Sequence, residues 1–95
     1  MTVEVHILEW DEAGEEHIAE HGLTVREVNQ IAANPHLIVR NRKDRRAHYL
    51  MIGSTHGGQV VTVALQKTRE AGTWRVATAY AATEAQQRVF KSEVR

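Results

Sequence analysis

Four alternating apolar runs, residues 36–42, 46–53, 59–67 and 73–80, follow one another with only short interruptions. The turns between them centre on Lys43-Asp44-Arg45, His56-Gly57-Gly58 and Glu70-Ala71-Gly72. Such gaps cannot hold the roughly dozen residues that a parallel crossover needs, so these strands must fold back on one another as an antiparallel meander. What precedes them obeys other periods. Val3, Val5 and Ile7 alternate with Glu4 and His6, predicting a half-buried strand over residues 2–9. Asp11 then stands as an N-cap before Glu12, Glu15 and Glu16, whose charges suit a helix N-terminus, and Gly22 supplies a stop, predicting a helix over 12–20.

Gly14 weakens that helix, and Trp10, Gly14, Ile18 and His21 share a stripe along it that reads as core. Thr24-Val25-Arg26-Glu27 is a capping box, Val25, Val28, Ile31 and Ala32 form an apolar stripe, and Asn34-Pro35 ends the second helix. A second capping box, Thr83-Glu84-Ala85-Gln86, opens a last helix with Ala85 and Val89 inward and Arg88, Lys91 and Arg95 on another face. The expected fold is α+β, one domain over residues 1–95 in the order β-α-α-β-β-β-β-α. It is an antiparallel sheet of about five strands with helices packed on one side.

Composition excludes several functions. Without cysteine the chain has no disulfide, thiol nucleophile or thiolate metal site. No run approaches the roughly 18 apolar residues of a membrane span, and the first residues lack a basic and apolar leader, so the expected location is cytoplasmic, away from membranes. His56-Gly57-Gly58 is a turn and not a phosphate loop, and no nucleotide cofactor is expected. His17 and His21 have the spacing of a helical metal pair but no third ligand, so no metal is expected either. Charge is segregated beneath a formal net of zero. Residues 1–30 hold eight acids against Arg26 alone, whereas the rest hold eleven Lys and Arg against four acids. Five of the eleven are Arg40, Arg42, Lys43, Arg45 and Arg46, a cluster that points to an anionic partner.

Four stretches, in order, resemble the BrnT-type toxins of the RelE-like superfamily of small ribonuclease toxins. They are Trp10-Asp11-Glu12 with His17 through Thr24 and Glu27-Val28; Asn34-Pro35; Tyr49-Leu50-Met51-Ile52-Gly53 with Gly58 through Val63; and Thr73-Trp74-Arg75-Val76 through Thr83. The resemblance covers nearly the whole chain and rests on order and spacing, since each motif is short. It implies the toxin of a type II toxin-antitoxin pair, a metal-independent endoribonuclease. Its partners would be an RNA substrate and a cognate antitoxin, a ribbon-helix-helix-like dimer; a homodimer is also open. Glu20, His48 and Tyr80 stand where the family often has a lysine and two arginines for the scissile phosphate. A second reading is therefore a catalytically weakened relative that pairs with an antitoxin and serves in regulation.

Metal-free RNA cleavage needs a base for the 2′-hydroxyl, cations for the phosphorane charge and an acid for the leaving oxygen. In a 46–53 strand, period 2 places His48 with Arg46 and Leu50 on one face and Tyr49 with Met51 on the other. His48 and Tyr80 are thus the acid/base candidates, with Arg46 and Arg75 as cations. Arg42, Lys43, Arg45 and Arg46, around the predicted hairpin, are the candidates for holding RNA.

Overall fold

Side-chain caps fix where each helix begins. The Asp11 carboxylate accepts from the Gly14 N–H at 2.7 Å and opens α1 (Glu12–Glu20). Thr24 and Glu27 bond reciprocally ahead of α2 (Val25–Ala33), and Thr83 and Gln86 do the same ahead of α3 (Glu84–Glu93). Between α1 and α2 the chain turns through Gly22 at φ +74°, a backbone state that costs glycine little. This computed structural model describes residues 3–43 and 45–94. Thr2, Asp44 and Arg95, which the sequence places in the first strand, a turn and a helix face, lie outside them.

The strands are β1 (Ile7–Glu9), β2 (His36–Arg40), β3 (Tyr49–Ser54), β4 (Val60–Lys67) and β5 (Thr73–Ala81), in the sheet order β1-β5-β4-β3-β2. The element order is the expected one, and β2 to β5 form the expected antiparallel meander. The sheet as a whole is mixed, because β1 lies parallel to β5, with Ile7 opposite Thr73 and Glu9 opposite Arg75. Two helices and the whole meander separate these strands in sequence, which is connection enough for a parallel pair. β1 is also shorter than 2–9: Val3 and Val5 pack against the core outside any ladder.

The helices divide between the two faces instead of sharing one. Ile18 of α1 with Val28 and Ile31 of α2 packs on Met51, Val61, Val63, Leu65 and Val76, all of them at most 1% exposed. Strand alternation turns Ile52 and Thr62 to the other face, where α3 covers them, and Ile52 is only 2% exposed. With α1 and α2 filling one side, this second apolar row requires its own helix.

One irregularity sets what faces where on β5. Ala64 pairs with Thr78 but Leu65 with Val76, so Ala77 is an extra residue, a β-bulge. Trp74 and Val76 face the core before the bulge and Ala79 faces it afterwards. Thr78 and Tyr80 are thereby turned to the α3 face. Unbroken alternation would put Tyr80 on the same side as Trp74.

α1 closes the outer edge of β5 beyond the end of β1. The His17 Nδ1–H donates to the Ala77 carbonyl at 3.0 Å, and buried Gly14 lies against the Val76 carbonyl. The Ala77 carbonyl on this edge thus gains a partner.

Candidate active site

On the α3 face, Leu50, Ala64 and Thr78 are neighbours across three strands, and the row beside them is Ile52, Thr62 and Tyr80. α3 covers the second row and leaves the first open. That open row, with Ala77, Tyr80 and Gln86, floors a groove of about 630 Å³ whose wall is the β2–β3 connection. Arg40, Arg42, Arg45 and Arg46 line the wall, so four arginines border one open channel.

The connection owes its shape to Asn41. Its backbone N–H donates to the His48 carbonyl at 3.0 Å and its side-chain Nδ2 to the Ala47 carbonyl at 2.9 Å. Its Oδ1 accepts from the Arg42 N–H at 2.9 Å, and the Arg45 N–H closes a turn on the Arg42 carbonyl at 3.1 Å. An asparagine bonding to its own neighbours in this way competes with strand pairing. The strand expected over 46–53 therefore begins at Tyr49, and the described residues of the connection, 42–43 and 45–48, are pinned outside any strand and display arginines.

Gln86 organises the other wall. Its Oε1 accepts from the backbone N–H of Thr83 at 2.9 Å and from the Thr62 hydroxyl at 2.8 Å. Since a backbone N–H can only donate, the amide orientation is settled, and Nε2 donates to the Tyr80 hydroxyl oxygen at 3.3 Å. The phenolic proton is then free to point elsewhere, and the groove is where an acceptor would meet it. Gln86→Leu is expected to strand the Thr62 hydroxyl, which is 0% exposed, and to lower stability by about 1–3 kcal/mol, read from the urea midpoint. An unchanged midpoint would count against this coupling.

The structure thus brings Arg42, Arg45, Arg46 and Tyr80 to one groove. His48 and Arg75 are not among its lining residues, nor is Lys43. His48 is exposed just before β3, its backbone N–H given to the Leu65 carbonyl at 3.0 Å. Arg75 is held by Glu9, with Nη2 at 2.8 Å and Nε at 3.0 Å from the same carboxylate oxygen, and Asp11 stands 4.0 Å away. Sequence reasoning did not single out Arg40, Asn41 or Gln86 for the site. The Asn after a strand and the capping-box glutamine were the available signals.

Fold and groove together define a small α+β domain that presents a cationic channel on its α3 face. A structure similar to it is the crystal structure of the Brucella abortus ribonuclease toxin BrnT, with a TM-score of 0.57 and 21% sequence identity over 87% of this chain and 100% of that one. The chain has a BrnT-type toxin fold, and at that identity the likeness is one of fold. No protein-family model matches the chain, and no curated protein matches it in sequence. Among the described residues no helix is long and apolar enough to cross a membrane, and no group of three or more His, Asp or Glu side chains converges as metal ligands would.

Proposed function

We propose that this chain is a ribonuclease toxin, the toxic half of a type II toxin-antitoxin pair, acting in the cytoplasm on RNA without a metal. The observation that carries the reading is the meeting of Arg42, Arg45 and Arg46 with Tyr80 in one groove. Guanidinium groups bind phosphate in a fork and stabilise charge that grows on it during 2′-oxygen attack. Tyr80, its oxygen already engaged by Gln86, is the acid for the leaving oxygen. The solved ribonuclease toxin of similar fold supports the ribonuclease reading.

The test is cleavage of a labelled single-stranded RNA by purified chain in the presence of a chelator. Replacing Arg42, Arg45 and Arg46 together by Gln is expected to weaken RNA binding by about 100-fold and to lower the slope of log affinity against log salt by about 2. Affinity within threefold of the parent would refute the groove as the RNA site. An antitoxin would occupy the same cations with acidic side chains, or the acids of α1 with basic ones, and salt would weaken either contact.

One observation favours the second reading, a binding protein that cuts nothing. Among the described residues, neither an imidazole nor a carboxylate lines the groove. A chain that binds RNA and a neighbouring-gene product, yet leaves RNA intact and growth unaffected, would select it.

A further inference from the structure

A second cavity opens on the other face of the sheet, at the same end as the groove. Tyr49 and Leu50 are consecutive on β3 and face opposite sides; Leu50 lines the groove, and Tyr49 lines a pocket of about 520 Å³ with Trp74, Lys67, Glu4 and His6. That volume lies within the span of small-ligand sites, about 300–1,000 Å³. Trp74, 7% exposed, is its floor, and half-buried Tyr49 is a side. Their ring centroids stand 5.4 Å apart with the planes crossed at 82°, so the two rings make a corner. Residues 4–7 are fastened beside it. The Trp74 Nε1–H donates to the Glu4 carbonyl at 2.9 Å, and the His6 and Ile7 N–H groups donate to the Gly72 carbonyl at 2.8 and 3.0 Å. A Cβ at Gly72 would stand 2.6 Å from His6 Cδ2, so the His6 ring lies directly against this turn. At the rim the exposed Glu4 carboxylate accepts from His6 Nε2–H at 2.9 Å. Exposed Lys67 makes no ion pair among the described residues, and neither does Arg69 two positions on. The acid of the rim is engaged, and its ammonium is not.

We infer that this pocket is a second nucleotide subsite, taking a nucleobase against Tyr49 and Trp74 and the attached phosphate on Lys67. Aromatic side chains receive any base, because every base has a π-face. An ammonium without a partner beside them favours a ring that carries an anion, and Lys serves phosphate as a point charge. A nucleoside monophosphate unit joins both demands in one ligand. A purely apolar ligand would leave Lys67 unused, and a cationic one would meet its repulsion. That the pocket takes a nucleotide stands on its own lining; that this nucleotide is one unit of an RNA strand rests on the ribonuclease reading above. Groove and pocket lie back to back at the start of β3, so such a strand would round the sheet end past exposed His48, the residue before Tyr49.

The experiment titrates the isotope-labelled full chain with adenosine 5′-monophosphate and follows the Gly72 amide and the indole N–H signals of its two tryptophans by NMR, Trp10→Phe telling Trp10 from Trp74. The Trp74 indole and the Gly72 amide are expected to shift saturably, with a dissociation constant of about 1–10 mM. Lys67→Glu is expected to weaken this binding about tenfold while leaving the affinity for adenosine, which has no phosphate, within about twofold of the parent's. Lys67 is exposed at the end of β4, and the spectrum itself reports whether the variant is folded. Three results overturn the assignment. One is a Trp74 indole that stays still up to about 20 mM nucleotide, with shifts only at the Gln86 side-chain amide of the groove. Another is equal affinity for adenosine and its monophosphate. The third is tighter binding of N-acetylphenylalanine at the same signals, which would make the pocket an anchor for a peptide. RNA cleavage is measured on the same preparation. A chain that cuts RNA but takes no nucleotide at Trp74 loses this pocket alone, and one that takes nucleotide there but cuts no RNA loses the ribonuclease reading alone.

Discussion

Tyr80→Phe is expected to leave the chain folded and bound to RNA while its cleavage rate falls by about 10²–10⁴-fold, the usual worth of a positioned acid. The reasoning is local. The substitution removes one oxygen from a half-buried ring; the Ala79 backbone and the ladder pair Thr62–Tyr80 are untouched. Gln86 keeps its two accepted bonds and loses only the 3.3 Å donation, a change of roughly 1 kcal/mol in stability. The arginines remain in place, so affinity should hold. Single-turnover cleavage alongside a binding titration separates the two effects, and a Phe variant that cuts at the parent rate removes Tyr80 from the mechanism.

Gly14→Val is expected to lower stability by roughly 3 kcal/mol, and with it the melting midpoint by about 10–20 °C, although valine is the better helix former. A Cβ at this position would collide with the Val76 carbonyl oxygen and lie 3.2 Å from Asp11 Oδ1, the atom that caps α1. Backbone cannot move aside as a side chain can. Relief would require lifting α1 from β5, which opens the His17–Ala77 bond and uncovers the sheet edge. Thermal unfolding checks this, and a midpoint equal to the parent's would show that the helix rides higher than described. The glycine that looks like a flaw in a short helix is the reason the helix sits so close.

His48 and Tyr80 illustrate the limits of pattern reading at the site. Both alternate correctly with their neighbours, but period 2 holds only while the ladder is regular. At His48 the regularity has not begun, because Asn41 has closed the loop with its own bonds. At Tyr80 the bulge has shifted it by one residue. Arg42, Arg45 and Arg46 needed no such precision, since a cluster of charge on a short connection stays exposed whatever its register. Arg75 looked equally available in sequence and is taken by Glu9, which reaches it only through the β1–β5 pairing.

The sequence by itself determined the helix starts, the antiparallel meander and the placing of cationic charge in the β2–β3 connection. Each depends on groups within a few residues of one another: a cap and its N3 partner, a turn too short to cross over, a run of like charges. Tertiary structure alone decided that β1 would join β5 in parallel, that α3 would take the second face, and that the Ala77 bulge would bring Tyr80 to the arginines. Those outcomes follow from which apolar rows still needed cover and which edge groups still needed partners, and such demands arise only once distant segments have met.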